Sequence, residues 1–316
     1  MTLTACFMPW LTGSPLSANQ PAIALVGPTA AGKSAVAMQV CALASGEIIN
    51  ADSMQGYRGM DIGTAKPTRA DQERIRHHVI DVWEPTHEVS VVEFRDEARR
   101  ALAGVVAAGA TPVVVGGSWL YVQAIVDDFQ FPPTDPIVRA RWEQRLASEG
   151  SVALHVELTR LDPAAAQSIL PSNGRRIVRA LEVVELQGGF TSSLPEPTSW
   201  CPTRWYGIDV DRSVLDSRIR NRVEQMWAAG WLGEVAELSE PGFGRTAERA
   251  LGYSQISDHL AGRSTQEEAM EATVVATQRF ARRQQRRFRQ DRRITWLNGD
   301  DDAMKLAEQV VQDTAT

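Results

Sequence analysis

Gly27-Pro28-Thr29-Ala30-Ala31-Gly32-Lys33-Ser34 reads G-x-x-x-x-G-K-S, a phosphate-binding loop, and its flanks decide the fold. Ahead of it, Ala22-Ile23-Ala24-Leu25-Val26 is an unbroken apolar run, the mark of a strand covered on both faces. Behind it, Ala35 to Ala44 carries no Gly or Pro and reads as a helix. In a strand–loop–helix setting, glycines let backbone N–H groups turn inward on phosphate oxygens. The helix N-terminus adds a partial positive charge, Lys33 adds a full one, and Ser34 offers a hydroxyl to Mg2+. The stretch predicts a seat for a di- or triphosphate. It does not say whether a nucleotide carries that phosphate, and alone it suggests an ATP-binding protein, an ATPase or a kinase.

Outward from the loop, strand and helix patterns alternate. Glu47-Ile48-Ile49-Asn50-Ala51 reads as a strand ending at Asp52-Ser53, which places Asp52 at a strand end beside the loop. Gly56 to Pro67 is punctuated by glycine and reads as a loop. His78 to Val82 reads as a strand, Val91 to Ala108 as a helix, and Thr111 to Ser118 as a buried strand opening into a glycine turn before a helix from Trp119. The fold class expected is α/β: a parallel, P-loop NTPase-like sheet flanked by helices, with a helical insertion domain. The insertion spans 134–200, with Pro163 and Pro171 near helix starts, and the core is split into 21–133 and 201–299. The core resumes with a strand at Trp205–Val210, a helix at Val214–Ala229 and a last strand at Ile294–Leu297. Residues 1–20 read as a disordered extension and 300–316 as a tail or helix.

Composition narrows the class. The chain has 316 residues, 43% of them hydrophobic, enough for a substantial core. Cys6, Cys41 and Cys201 form neither a metal spacing nor a disulfide framework, which fits a reducing, cytoplasmic compartment. No stretch approaches the ~20 apolar residues of a membrane span. His155 and His259 are isolated and read as packing residues. The net charge of −6 argues against a polyanion partner, yet eight arginines and one acid fall between Arg279 and Arg293. Positive charge concentrated on one helix of an acidic chain points to phosphates, although a solvated helix paired with acidic neighbours has the same composition.

Four further blocks make the pattern specific. They are Ala51-Asp52-Ser53-Met54-Gln55, Tyr57 to Pro67 with its Asp61-Ile62-Gly63-Thr64-Ala65-Lys66-Pro67, Val115-Gly116-Gly117-Ser118, and Arg176-Ile177-Val178-Arg179-Ala180-Leu181-Glu182-Val183. With the phosphate loop they resemble the tRNA dimethylallyltransferase (IPP transferase) family from about Pro21 to Leu297. The resemblance implies transfer of a dimethylallyl group from dimethylallyl diphosphate to N6 of the adenosine just 3′ of the anticodon, in tRNAs reading codons that begin with U. It implies a diphosphate held by Gly27, Pro28, Thr29, Ala30, Ala31, Gly32, Lys33 and Ser34, with Mg2+ as cofactor and Arg222 as a further contact. Arg218 is the nearer rival for that contact. It implies Asp52 as general base, since an exocyclic amine whose lone pair is delocalised must lose a proton as its new bond forms.

The same resemblance implies a tRNA surface, the anticodon stem-loop being the partner, on Asp52, Ser53, Met54, Gln55, Ser118, Arg139, Arg175, Arg176, Arg179, Arg249, Gly252 and Tyr253. Ser118 stands near the reacting amine, Gly252 permits close backbone approach and Tyr253 offers a stacking face. Arg282, Arg283 and Arg286 of the basic helix, expected over 279–293, would lie along phosphates and add affinity without sequence readout. The chain departs from the family at Gly174, where Asp is usual, at Gln278, where Arg is usual, and at Arg287, where an aromatic is common. Ser118 keeps the hydroxyl of the more usual Thr. Three other readings share parts of the pattern. A free-adenylate prenyltransferase needs no insertion or arginine helix. A small-molecule kinase needs a second Mg2+ acid, for which Val79-Ile80-Asp81 is a poor match. A non-catalytic RNA-binding protein leaves Asp52 and Ser118 without a purpose. A monomer without membrane attachment is expected.

Overall fold

A computed structural model describes residues 16, 20–191, 198–240 and 242–315. The extension expected over 1–20 therefore lies outside the described residues except for Gln20 and Leu16, which is buried. The described chain forms two compact units, one from residues up to 128 and from 199 onward, the other from 129–198.

The larger unit opens with β1 (Ala22–Val26), α1 (Lys33–Ala44), β2 (Gly46–Asn50), α2 (Arg69–Arg74), β3 (His77–His78), α3 (Val91–Ala107), β4 (Thr111–Gly116) and α4 (Trp119–Val126). The smaller unit holds α5 (Pro136–Leu161), α6 (Pro163–Ser168) and α7 (Gly174–Gln187). The larger unit then resumes with β5 (Thr203–Asp209), α8 (Arg212–Ala228), α9 (Trp231–Ser239), α10 (Tyr253–Leu260), α11 (Gln266–Phe288), β6 (Ile294–Asn298) and α12 (Ala303–Ala315). All six strands run parallel in the order β3-β2-β4-β1-β5-β6. Parallel strands need crossovers over the sheet faces, and the helices supply them. Phe94, Ala98 and Leu102 of α3 with Val122 and Ile125 of α4 cover one face. Val36 and Val40 of α1, Leu215 and Ile219 of α8, and Leu306 and Val310 of α12 cover the other. Every residue of β1 is buried, so a strand readable as an apolar run becomes the sheet's centre. Ile23, Leu25 and Val26 each contribute ~2 kcal/mol of burial.

Register aligns the carboxyl ends. Val26 pairs with Gly116 and Gly207, and Asn50 with Val115. The phosphate loop, Asp52 and Ser118 thus leave the sheet along one edge, where ligands of open α/β sheets bind. Two elements differ from expectation. The strand expected over His78–Val82 is only His77–His78, because Val79 and Asp81 turn into the left-handed region at φ 61° and 53°. Side-chain bonds hold that turn: Asn50 Nδ2 donates to the Val79 carbonyl, and Asp81 pairs with Lys66. The basic helix expected over 279–293 ends at Phe288, leaving Arg292 and Arg293 beyond it.

The smaller unit has its own core of Trp142, Leu154, Leu158, Ile177 and Leu181. Gly150 breaks α5 at φ 83°. Pro163 opens α6 as expected, whereas Pro171 precedes a turn and α7 starts at Gly174, capped by Asn173 Oδ1 on the Arg176 N–H. A Cβ at Gly174 would lie 2.7 Å from Leu146 Cδ1, so packing of α7 on α5 accounts for glycine there.

Candidate active site

The phosphate loop passes through left-handed backbone at two of its inner positions. Gly32 has φ 92°, and Ala30 adopts φ 62° without being glycine. The amides of Ala30, Gly32, Lys33 and Ser34 meet no protein acceptor among the described residues. Four converging N–H donors at the start of α1 form an anion cradle. Thr29 differs from its neighbours in the loop, because its N–H donates to Gln284 Oε1 at 2.9 Å. Lys33 Nζ bonds the Pro28 carbonyl at 2.7 Å, which folds the side chain back over the loop. Burial and the nearby Arg222 charge lower its pKa to about 8, against the opposing pull of Asp52.

Asp52 is fixed from both sides. Its N–H donates to Asn50 Oδ1 at 2.9 Å and its carbonyl accepts from Asn50 Nδ2 at 2.8 Å. Its carboxylate accepts the Met54 N–H at 3.0 Å. Burial pushes the Asp52 carboxyl above the usual carboxylate range, opposed by the Met54 N–H and the charges of Lys33 and Arg222. Burial likewise lowers Arg222, and Asp52 pulls it back up. Lys33, Asp52 and Arg222 thus share one electrostatic neighbourhood. Arg222 has no carboxylate at ion-pair distance among the described residues, which leaves its guanidinium for an anion. Arg218, one turn earlier on α8, is exposed. Both arginines line an open cleft of about 1100 Å3 with Ala30 and Gly32 on the loop side and Ile62, Ala65, Pro67 and Met226 as apolar wall.

The Asp61–Pro67 loop that forms this wall is anchored by three side chains. Glu234 accepts the N–H groups of Asp61, Ile62 and Gly63 at 2.9, 2.6 and 3.2 Å. Lys66, with its side chain only 3% exposed, donates to the Tyr57 carbonyl at 2.7 Å and pairs with Asp61 at 2.6 Å and with Asp81. Asp81 is therefore a loop anchor. Gln55 also donates to the Thr64 and Ala65 carbonyls at 3.1 and 3.2 Å.

Ser118 leads into α4 from the Gly116-Gly117 turn, and its half-buried hydroxyl makes no cap bond. A Cβ at Gly116 would lie 2.7 Å from Ala51 Cβ, and one at Gly117 would lie 3.4 Å from the Gly27 carbonyl. Bare backbone thus lets the ends of β4, β2 and β1 converge. Tyr121 completes this corner: burial raises its pKa, neighbouring Ser53 opposes the shift and the Asp52 charge adds to it.

Other expected contacts land differently. Tyr253 presents no stacking face; it is buried, its OH donates to Glu234 Oε1 at 2.6 Å, and its ring packs edge-on to Trp231 and Phe243. Gly252 makes its close approach to Trp231, where an added Cβ would come within 1.9 Å of Cη2. Arg249 is exposed. On the arginine helix, Arg283 and Arg286 are exposed, Arg282 lies 3.7 Å from Asp216, and Arg287 covers the Trp119 ring at 3.6 Å. Past the helix, Arg293 pairs at 2.7 Å with both Asp127 and Asp291, so part of the basic run is structural. Within the smaller unit, Arg179 donates to Glu182 at 2.6 Å and to the Pro132 and Pro133 carbonyls at 2.8 and 3.0 Å. Arg139 stands 3.7 Å from the same fully buried carboxylate, whereas Arg175 and Arg176 are exposed.

Sequence reasoning missed Asn50, Tyr121, Glu234 and Gln284, whose roles arise from contacts made by folding. The Asn50–Asp52 spacing was readable as an Asx-type clamp.

The sequence and fold have counterparts among known proteins. A family model described as IPP transferase matches residues 55–291. The tRNA dimethylallyltransferase of Frankia alni is 54% identical over 279 residues, 87% of this chain and 96% of that protein. That of Thermobifida fusca is 54% identical over 286 residues, 88% of this chain and 90% of that protein. Among solved structures, the tRNA isopentenylpyrophosphate transferase of Bacillus halodurans superposes with a TM-score of 0.68 at 34% identity, covering 93% of this chain and 97% of that one. A eukaryotic dimethylallyltransferase acting on tRNA shares the fold, with a TM-score of 0.70 at 23% identity over 89% of this chain and 74% of its own. Sequence and fold agree, and the chain belongs to the IPP transferase family.

Proposed function

We propose that this chain transfers a dimethylallyl group from dimethylallyl diphosphate to N6 of the adenosine 3′ of the anticodon in tRNA, acting as a cytoplasmic monomer on tRNAs that read codons beginning with U. The observation that carries the reading is the shared neighbourhood of Lys33, Asp52 and Arg222 at the cradle. A kinase also places cations on phosphates and can use a carboxylate base, but it needs a second Mg2+ acid beside the loop, and Asp81 is tied to Lys66 instead. A prenyl transfer needs only the two cations and the base.

In this reaction the bond between the allylic carbon and the diphosphate oxygen breaks, and the electron pair leaves with diphosphate. The adenine N6 lone pair forms the new C–N bond, and Asp52 takes the proton that N6 sheds. The four cradle amides, Lys33 and Arg222 meet the charge that grows on the leaving diphosphate. Ile62, Ala65 and Met226 offer the five-carbon group an apolar wall that keeps water from an electron-poor carbon. The Ser118 hydroxyl orients the amine. The exposed Ser34 hydroxyl beside the cradle would hold Mg2+, which would help neutralise the diphosphate charge. Arg282, Arg283, Arg286, Arg175 and Arg176 supply phosphate contacts to tRNA.

The test is transfer of labelled dimethylallyl to tRNA or to AMP by the purified chain. Transfer to tRNA is expected. Transfer to AMP alone, or ATP hydrolysis without transfer, would refute the reading. Asp52→Asn should slow transfer by roughly 100-fold or more with tRNA affinity nearly unchanged. Replacing Arg282, Arg283 and Arg286 by Ala should weaken tRNA binding and flatten its salt dependence, and an unchanged salt slope would place the RNA on another face.

A further inference from the structure

Gln284 joins two parts of the site that the chain itself keeps far apart. It lies on α11, and its side chain is buried between the phosphate loop and the β4–α4 turn. Its Oε1 accepts the Thr29 N–H at 2.9 Å and its Nε2 donates to the Gly117 carbonyl at 2.9 Å. The two bonds fix the amide orientation, since an exchange of Oε1 and Nε2 would oppose donor to donor and acceptor to acceptor. A Cβ at Gly117 would lie 2.4 Å from Nε2, so the turn is bare backbone where the amide reaches it. Thr29 begins the tip of the cradle, and Gly117 precedes Ser118 directly.

We infer that Gln284 is a positioning residue that sets the distance between the diphosphate seat and the amine seat. Prenyl transfer requires the leaving group, the allylic carbon and N6 to be nearly in line, and small misplacements of either end slow such steps steeply. One amide touching both loops fixes their separation more tightly than either loop does alone. A buried amide with both ends bonded resists displacement, because moving it would leave two backbone groups without partners. The same helix carries the exposed Arg283 and Arg286, so the strut and the proposed tRNA contacts move as one rigid element. This inference rests on the proposed prenyl transfer, and its test separates the two.

The experiment compares the parent chain with Gln284→Met, which keeps length and loses both bonds, and Gln284→Glu, which keeps the acceptor for Thr29 but turns an oxygen on the Gly117 carbonyl. The readouts are the single-turnover rate at saturating tRNA and allylic diphosphate, tRNA affinity, affinity for inorganic diphosphate, and melting temperature. Gln284→Met is expected to lose about 30-fold in rate, the factor for two ordinary hydrogen bonds, with tRNA affinity within about twofold of the parent. Gln284→Glu is expected to be slow as well. Inorganic diphosphate should bind about fivefold more weakly to Gln284→Met, as for one bond lost at the loop. A rate within threefold of the parent in either variant, or a loss fully accounted for by the unfolded fraction, overturns the inference. If the parent transfers nothing, the prenyl reading fails, and the inference then stands or falls on diphosphate affinity: unchanged binding in Gln284→Met overturns it.

Discussion

Removing the Glu234 carboxylate should loosen the cleft wall without touching the phosphate loop. Glu234 receives four donors: the N–H groups of Asp61, Ile62 and Gly63 and the hydroxyl of Tyr253. In Glu234→Ala the Asp61 amide, which is exposed, can turn to water. The Ile62 and Gly63 amides and the buried Tyr253 hydroxyl cannot do so without local opening. At ~1 kcal/mol for each of these three donors left unmade, the loop loses about 3 kcal/mol of local stability, or about 100-fold in an opening equilibrium. Hydrogen exchange followed by mass spectrometry reads this directly, as faster exchange over residues 59–67 with β1 and β4 unchanged. Because Ile62, Ala65 and Pro67 line the cleft, KM for the allylic diphosphate should rise more than kcat falls. Exchange over 59–67 within threefold of the parent would refute the assignment of Glu234 as the loop's anchor. Uniformly faster exchange across the sheet would show a general loss of stability instead.

Two further outcomes follow from the same geometry. Lys33, with its pKa lowered to about 8, is charged below that value and loses its proton above it, so kcat/KM for the diphosphate substrate should fall as pH rises past about 8. Bound diphosphate favours the charged amine, so kcat should hold to higher pH, and identical profiles for both would contradict Lys33 as a ligand contact. Gly252→Ala should destabilise the larger unit by about 3 kcal/mol in urea unfolding, from a Cβ driven to 1.9 Å of Trp231 and a side chain at φ 92°. Unchanged stability would mean that Trp231 swings away freely.

What could be read from the sequence depended on how local its cause was. The phosphate loop needs only neighbouring residues: β1, two glycines and the start of α1. It and the central apolar strands were therefore legible, as was the position of Asp52 at a strand end. The short β3 was not, because Val79 and Asp81 are bent by Asn50 and Lys66, partners that an apolar pattern does not reveal. Tyr253 and Gly252 look like a surface aromatic and a flexible glycine. Their burial comes from Trp231 and Glu234 on another helix. Gln284 gave no signal at all, since its partners lie 255 and 167 residues away in the chain. The basic run was half legible: its charge is plain, but which arginines face carboxylates depends on Asp127, Asp209 and Asp216 arriving from other segments.

The strand order also bears on how the protein is made. β1 is the central strand, and one of its two neighbours is β5, whose residues Thr203–Gly207 pair with Ala22–Val26. On a ribosome, β1, β2 and β4 emerge early and can pair, but the other edge of β1 stays open until the chain beyond residue 209 has left the exit tunnel. During that interval the most apolar strand of the protein has a bare flank, and residues 129–198 can fold meanwhile on their own local contacts. Closure of so long a loop makes the β1–β5 pairing a late, slow step. Nascent chains stalled before β5 should therefore be the ones that chaperones hold and proteases cut.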